Sequence, residues 1–445
     1  MSEIKVNKIS PRTACGTTTL GDSGDTFTIP SGVTLTNNGT ATGFGATGAV
    51  NWNTTKITAD PNPAVSGVGY FADTSSAAFT VTLPATPSAG DIVGIRDYAQ
   101  TFATNNLTIG RNSQPIDGLT NNLILTTNGV STTLVYVDVT QGWKSINSNE
   151  VVNEIKFVTA TGGTESFSGD YKIHTFTGPG TFLVSCAGNP LGSELVDYLV
   201  VAGGGSGGAY YTGGGGGAGG YRESSGTASG CYSVSPLGAC VSALPVSAIG
   251  YSIVIGAGAP GVIPSSTPGI NGVDSSFSTI TSAGGGGGAG GDISITGLPG
   301  GSGGGGSRGP SVGGTGNTPP VTPSQGSNGG AGSPNSGNPS SGGGGGGATV
   351  VGSSGVPGTA GAGGTGATSS INGTPTARAG GGAGGTYTGS GGTGGIGGGG
   401  NGANCSGGVT SGSTNTGGGG GGIGVAPLGT GAGGSGIVII RYKYQ

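Results

Sequence analysis

The sequence predicts an all-β protein in which N-terminal β modules are followed by a glycine-rich domain bracketed by β-strands. Two observations support this prediction. Glycine and proline, which end or bend ordinary helices and strands, supply 111 and 24 of the 445 residues, and glycine is concentrated after residue 203. Before that residue the chain shows no helical apolar period of useful length, and several short segments alternate apolar with polar side chains.

Short alternating segments separated by turns predict a β-sandwich module at residues 49–150. Residues 79–83 read FTVTL, which places three apolar side chains on one face of a strand. Residues 131–139 read STTLVYVDV and are apolar on both faces, which favours a central strand or burial against a second chain. Turn formers such as Asn128-Gly129 lie between the segments.

A second β segment, residues 151–202, forms the predicted base of the glycine-rich domain. Its candidate strands are 154–159, 171–177, 181–185 and 195–202. At the far end of the chain, residues 436–445 contain another apolar strand, GIVIIRY. We expect the strands at 195–202 and 437–442 to pair or to share one sheet, so that residues 203–435 project from a β base as an ordered insertion.

The glycine-rich region, residues 203–435, is repetitive without being collagen. It contains five consecutive glycines at 213–217, so a strict period of three is absent. Related runs recur as GGGGGAGGY at 213–221, GGGGGAGGD at 284–292 and GGGAGGTY at 380–387. A disordered low-complexity segment is one interpretation of this composition. Dense packing of polyproline II-like backbones is the other, because bare glycine backbones approach closely enough to bond to neighbouring segments.

Low charge argues against the disordered interpretation and excludes several functions. Between residues 203 and 435 there are only six charged side chains, Arg222, Glu223, Asp274, Asp292, Arg308 and Arg378. Disordered chains usually carry a high net charge. The whole chain has a net charge of −4 and a pI of about 4.9. Nucleic-acid binding depends on an excess of basic side chains that contact phosphates, so we do not expect this protein to bind nucleic acid.

The cysteines and the N-terminus indicate the compartment. The five cysteines show no C-x-x-C spacing, so we expect no metal centre, although Cys231 and Cys240 are close enough in sequence to form a short disulfide loop. No apolar h-region follows Met1, and no apolar run approaches the ~20 residues that span a bilayer. We therefore expect no signal peptide and no membrane insertion.

Catalytic motifs are weak. Matches to G-x-G-x-x-G are expected by chance in so much glycine, and no Gly-Lys pair completes a phosphate-binding loop, so no cofactor is expected. The one histidine, His174, lies in a predicted strand, which favours a surface or packing role over catalysis. A carboxylate pair for glycoside cleavage is harder to exclude, but no spacing singles one out.

Aromatic residues between the glycine runs are the candidate binding site. Exposed rings on loops suit polysaccharide recognition. The candidates are Tyr210, Tyr211, Tyr221, Arg222 and Tyr387. The alternative is that these rings cover the flanks of the glycine stack, since they are its few sizeable apolar groups. Tyr251 and Phe277 are interpreted as structural because residues 251–255 are predicted to form a strand.

Three segments resemble phage proteins. The opening MSEIKVNKISPRTACGTTTLGDSGDTFTIPSGVTLTNNGTATGFG is similar to the N-terminal segment of virion structural and tail-fibre proteins of marine phages. The stretch from YFADTSSAAFTVTLP to LVYVDVTQGWKSI resembles a β module of phage tail fibres. YKIHTFTGPGTFLV, VDYLVVAGGGSGG, GGGGGAGGY and GSGIVIIRY together resemble the glycine-rich terminal domain of phage fibres and adhesins, which is described as stacked polyglycine II helices with receptor-binding loops.

This resemblance implies a role for each part of the chain. Residues 1–48 would attach to other virion tail proteins, 49–150 would form a shaft, 151–202 the base, 203–435 the receptor-binding domain and 436–445 the closing strand. The resemblance further implies a homotrimer, made in the bacterial cytoplasm and carried on the virion, that binds a host-surface glycan or outer-membrane receptor. Two alternatives stay open: a structural fibre or capsid decoration without a receptor, and a virion-bound glycan hydrolase.

Overall fold

The computed structural model describes residues 50–146 and 156–445, together with residues 19, 26 and 28. Within the second range it leaves out 191, 231, 239–240, 264–267, 291–294, 335–337 and 426–428. The predicted attachment segment 1–48, apart from these three residues, and the possible Cys231–Cys240 disulfide therefore fall outside the described residues. The chain divides into two compact units, 1–153 and 154–445.

Eight short strands form the first unit. They are β1 Asn51–Ile57, β2 Val68–Ala72, β3 Phe79–Thr82, β4 Ile92–Asp97, β5 Leu107–Gly110, β6 Leu123–Leu125, β7 Ser131–Asp138 and β8 Gly142–Ser145. Five of them form a sheet in the order β1-β2-β4-β7-β8, and three form a second sheet in the order β3-β5-β6. Apolar side chains from both sheets meet in one core that includes Val81, Ile109, Ile95 and Trp143. The all-β prediction is confirmed for this unit.

The strand β7 uses its two apolar faces differently. Leu134 and Tyr136 point into the core of the first unit. Val137 and Val139 on the opposite side are 45 % and 78 % exposed. On this second face Thr133 is buried and Val135 is half-buried, so the face is covered at the start of β7 and exposed at its end.

The second unit contains thirteen strands among its described residues, together with a 3-10 turn at Pro236–Gly238. The strands are β9 Val158–Thr161, β10 Thr164–Ser168, β11 Tyr171–Phe176, β12 Gly180–Ala187, β13 Leu195–Val201, β14 Tyr221–Glu223, β15 Leu244–Pro245, β16 Gly250–Val254, β17 Ser275–Phe277, β18 Ile280–Ser282, β19 Ala367–Ser369, β20 Thr376–Arg378 and β21 Ile437–Lys443. The strand predicted at 154–159 begins later, at Val158, and its first two residues lie outside the described residues.

The last strand of the chain occupies the middle of a sheet. The order β10-β11-β21-β13-β14 places β21 between β11 and β13, and it is antiparallel to both. In the β13 pairing, Leu199 lies opposite Ile439 and Val201 opposite Ile437. The predicted pairing of the two strands that bracket the glycine-rich region is confirmed. This sheet, called the base sheet below, packs one face against a second sheet of order β18-β17-β16-β12-β9.

Glycine backbones pack as hydrogen-bonded rods on the other side of the base sheet. We call residues 213–220 the central rod. Its successive amides donate hydrogen bonds to three neighbouring segments in turn, with N···O distances from 2.7 to 3.0 Å. Two of these segments are antiparallel to the central rod and one is parallel to it. The donor and acceptor pairs are Gly213–Ile423, Gly216–Gly420 and Gly219–Gly417; Gly214–Ala289, Gly217–Gly286 and Gly220–Ala283; Gly215–Gly343 and Ala218–Gly346. Each neighbour thus bonds to every third residue, which is the period of a polyglycine II helix.

The carbonyl groups of the central rod bind three further segments. The donor and acceptor pairs are Ala202–Gly220, Gly205–Gly217 and Gly208–Gly214; Ser302–Ala218 and Gly305–Gly215; Gly382–Gly216 and Gly385–Gly213. The central rod therefore lies among six neighbours, so its backbone groups are satisfied between rods rather than within a helix. The packed interpretation of the glycine-rich region is confirmed, and the disordered one is wrong for these residues.

Candidate functional site

One end of the glycine stack joins the base sheet, and the other end consists of connecting loops. Residues 202–208 leave β13 at the base sheet and run away from it, and the central rod returns antiparallel to them. At its end the chain enters β14, which pairs with β13. With about 3.1 Å per residue, the seven steps from Gly213 to Gly220 separate the ends by roughly 22 Å. We call the end away from the base sheet the tip.

Three tyrosines meet at the tip. Tyr210 and Tyr211 occupy the turn between residues 202–208 and the central rod, and their ring centroids are 4.5 Å apart in an edge-to-face arrangement. Tyr387 follows the rod at 380–385, whose Gly385 amide donates to the carbonyl of Gly213 at the start of the central rod. This register brings the Tyr387 ring to 5.9 Å from that of Tyr211.

An arginine that the sequence analysis did not select completes the cluster. The guanidinium carbon of Arg308 lies 5.4 Å from the ring centroid of Tyr211, within cation–π range. Arg308 belongs to the loop that follows the rod at 302–305, whose Gly305 amide donates to the carbonyl of Gly215 near the tip. Its position as one of only three arginines in the glycine-rich region was the available signal. We call Tyr210, Tyr211, Arg308 and Tyr387 the tip cluster.

The tip cluster is accessible and held by its backbone. Tyr387 is 37 % exposed, and Tyr210 and Tyr211 are half-buried. Tyr210 and Thr212 have φ values of +66° and +56°, which residues other than glycine rarely adopt. Such conformations persist where the surrounding structure fixes them, and here both flanking segments are bonded into the stack. The cluster therefore presents aromatic surfaces and one cation from a rigid scaffold.

Tyr221 does not belong to this surface, so its prediction as a binding residue is corrected. It lies at the base end of the central rod and is 1 % exposed. Its hydroxyl donates to Glu223 Oε2 at 3.0 Å, and it packs in the apolar cluster that contains Ile439. Burial and the neighbouring Glu223 carboxylate raise the pKa of Tyr221 well above its ordinary value. A side chain this deeply buried packs the base sheet, which was the alternative interpretation.

Arg222 also lies at the base end rather than at the tip. It is half-buried in β14, opposite Val200, and its Nη1 donates to the carbonyl of Thr281 at 3.4 Å. The predicted group of five site residues is therefore divided by the length of the central rod. The structure brings together Tyr210, Tyr211 and Tyr387, and it separates Tyr221 and Arg222 from them.

The remaining aromatic and titratable candidates have packing contacts. Phe277 is fully buried and Tyr251 packs against the same core, as the strand prediction implied. His174 is also fully buried, with Nδ1 2.7 Å from the Gly162 carbonyl oxygen and Nε2 3.0 Å from the Tyr442 hydroxyl. Burial lowers the pKa of His174. These contacts fit the packing role that the sequence favoured for this histidine.

The described residues contain neither a cluster of metal ligands nor a membrane-spanning helix. No three His, Cys, Asp or Glu side chains in the described ranges are grouped so that they could hold a metal ion. None of the described helical residues form a helix long and apolar enough to cross a membrane. Of the cysteines with described structure, Cys186 is half-buried and free, and Cys405 is exposed and free.

The sequence model of a glycine-rich domain family matches residues 177–443, which extend from the residue after β11 to the last residue of β21. No curated protein matches the chain. The matched range contains the glycine stack, the tip cluster and every strand of the base sheet except β10 and β11.

Proposed function

We propose that this chain, which belongs to the glycine-rich domain family, is a tail fibre or adhesin of a phage virion that binds a receptor on the host cell through the tip cluster. The receptor class that best suits the cluster is a polysaccharide. In this proposal residues 1–48 attach the protein to other virion tail proteins, three copies assemble into the fibre, and the bacterial cytoplasm is the site of synthesis.

The observation that carries the proposal is the position of Tyr211. It contacts Tyr210 and Tyr387 and lies beneath the Arg308 guanidinium, at the end of the stack away from the base sheet. Aromatic rings offer sugar C–H groups a flat apolar surface, and a guanidinium supplies planar hydrogen-bond donors to hydroxyl or carboxylate oxygens.

The second unit consists of packed rods and the loops that connect them, and this arrangement also supports a binding function. The glycine positions of the rods have no space for a side chain, whereas the connecting loops are not restricted in this way. Recognition residues are commonly placed on loops that a rigid scaffold positions. A stack of rods that ends in loops therefore separates stability from specificity.

A direct test is adsorption of the purified full-length protein to host cells, followed by competition with intact virions. We expect the protein to bind cells and to reduce virion adsorption in proportion to its concentration. Periodate treatment of the cells should abolish binding if the receptor is a glycan, whereas protease treatment should abolish it if the receptor is a protein. Absence of both binding and competition would instead favour a structural fibre, and release of reducing sugar from host polysaccharide would favour a hydrolase.

A further inference from the structure

The outer face of the five-stranded sheet in the first unit carries exposed aromatic side chains. The strands β1, β2 and β4 run parallel, and their inward residues, such as Tyr70 and Ile95, fill the core. Of the aromatic residues outside that core, Trp52 is 36 % exposed, Tyr98 is 54 % exposed and Phe71 is half-buried. An exposed set of rings on one sheet face requires an explanation other than the folding of this sheet.

Tyr98 and Phe71 line an open groove of about 360 Å³, a size within the range of small-molecule sites. Its lining residues are Thr54, Phe71, Arg96, Asp97, Tyr98 and Gln100. Two aromatic rings thus stand beside a hydroxyl, an amide and a guanidinium. That mixture differs from the aliphatic surface with which a sheet usually packs on another sheet.

Trp52 has a structural role at the edge of the groove. A Cβ atom on Gly69 would lie 2.6 Å from two ring atoms of Trp52, and one on Gly94 would lie 3.4 Å from the same ring. The indole therefore lies directly over two glycines of adjacent strands and covers their bare backbone. Its ring centroid is 5.1 Å from that of Phe71, which continues the aromatic surface toward Tyr98.

The other side of the groove is held in place by a buried carboxylate. Asp97 is 3 % exposed and accepts hydrogen bonds from the amides of Gly129 at 2.9 Å and Thr101 at 3.3 Å. The Arg96 Nη1 donates to the Gly129 carbonyl. Between these anchors Gln100 has a φ of +58°, an unfavourable conformation for a glutamine. Strain of this kind is concentrated at binding sites, where the framework fixes it.

We propose that this groove is a second glycan site, which binds a pyranose ring of a polysaccharide independently of the tip cluster. The rings of Tyr98 and Phe71 would contact the C–H face of the sugar. Thr54, Gln100 and Arg96 would meet its hydroxyl groups, since the hydroxyl and amide both donate and accept and the guanidinium donates. Tyr98 is the anchor of the site because, at 54 % exposed, it is the most accessible of its rings.

The test is affinity electrophoresis of the full-length protein through gels that contain dextran, hydroxyethyl cellulose or alginate. We expect retardation in at least one gel, with an apparent Kd at least tenfold higher for Tyr98→Ala and nearly unchanged for Tyr98→Phe. Retardation by a neutral polymer would mean that Arg96 donates hydrogen bonds to sugar hydroxyl groups. Retardation by alginate alone would mean that Arg96 pairs with the carboxylate of a uronate. Phe167→Ala removes a 61 % exposed ring from the second unit and is the matched control.

Two outcomes would overturn the proposal. One is migration unaffected by any of the polysaccharides, and the other is retardation that Tyr98→Ala leaves unchanged. If the variant with unchanged retardation also melts earlier or changes its mass by light scattering, the face is covered within the protein or by a second copy. Loss of retardation in Tyr211→Ala but not in Tyr98→Ala would assign all binding to the tip, so failure here is distinguishable from failure of the proposed function.

Discussion

Gly216 lies so close to the carbonyl group of Gly205 that a Cβ atom on it would be 2.2 Å from the oxygen and 2.7 Å from the carbonyl carbon. Both atoms belong to the backbone of a neighbouring rod, so neither can rotate away. The same is true along the central rod, where Gly214 and Gly215 face the carbonyl oxygens of Gly305 and Gly382 at 2.0 and 2.1 Å. The stack therefore depends on glycine at these positions, because a side chain there would push adjacent rods apart and lengthen the hydrogen bonds between them.

Replacing Gly216 by valine should destabilise the second unit by about 1–3 kcal/mol, the usual cost of overpacking a core. The branched side chain has no space, and relief requires that the hydrogen bonds to Gly420 and Gly382 lengthen. Thermal melting of purified protein measures the loss. The control is Gly178→Val, where a Cβ meets no atom within 4 Å, and this variant should melt close to the wild type. Equal melting temperatures for the two variants would contradict a closely packed stack.

The sequence predicted the scaffold more fully than the site. The sequence identifies β13 and β21 because strands that are buried on both faces consist of continuous apolar residues. Their pairing was predicted because they lie at the two ends of the glycine-rich region. Tyr221 was misassigned because it follows a glycine run just as Tyr211 precedes it. Sequence alone does not show which end of a rod faces the base sheet. That assignment depends on hydrogen bonds between segments up to about two hundred residues apart, such as Gly213 to Ile423.

Acid below about pH 4 should destabilise the first unit through Asp73. A hydrogen bond from Lys56 Nζ at 2.5 Å, aided by Ser75, lowers the pKa of Asp73 from 3.8 to about 2. Because the folded pKa lies below the unfolded one, this contribution to stability is complete above pH 4 and is lost as the pH falls toward 2. Urea unfolding followed by tryptophan fluorescence isolates this unit, since Trp52 and Trp143 are the only two tryptophans in the chain.

The variant Asp73→Asn should show a weaker dependence of the unfolding midpoint on pH between 4.5 and 2.5. Asp117→Asn is the control, because that carboxylate forms a more exposed pair with Lys144 at 3.5 Å. A wild-type midpoint that does not change over this range would refute the role of Asp73.

His174 should make the second unit sensitive to mild acid. Burial lowers its pKa below 6.5, although the Gly162 carbonyl and the Glu165 carboxylate, whose Oε1 is 3.9 Å from Nδ1, act in the opposite direction. The unfolded chain then binds a proton that the folded chain resists, so stability is complete above pH 6.5 and falls below it. Calorimetry at pH 7.5 and 5.5 should show a lower melting temperature for this unit at the lower pH. The change should be smaller in His174→Gln, and an equal change in both proteins would assign it to other groups.

Tyr211→Ala and Tyr387→Ala should leave the fold intact and weaken adsorption to host cells, by about 1–3 kcal/mol if each ring is a stacking platform. The physical reason is that both rings lie at the tip, outside the hydrogen-bonded rods, and that Tyr211 joins Tyr387 to Arg308. Removal of Tyr211 should have the larger effect, since it leaves the other two side chains without their common neighbour. The matched control is Phe167→Ala, which deletes an exposed ring from β10 at the edge of the base sheet and should adsorb normally. Adsorption and melting must be measured on the same preparations, because early melting with normal adsorption would mean that the tyrosines stabilise the stack and that recognition lies elsewhere.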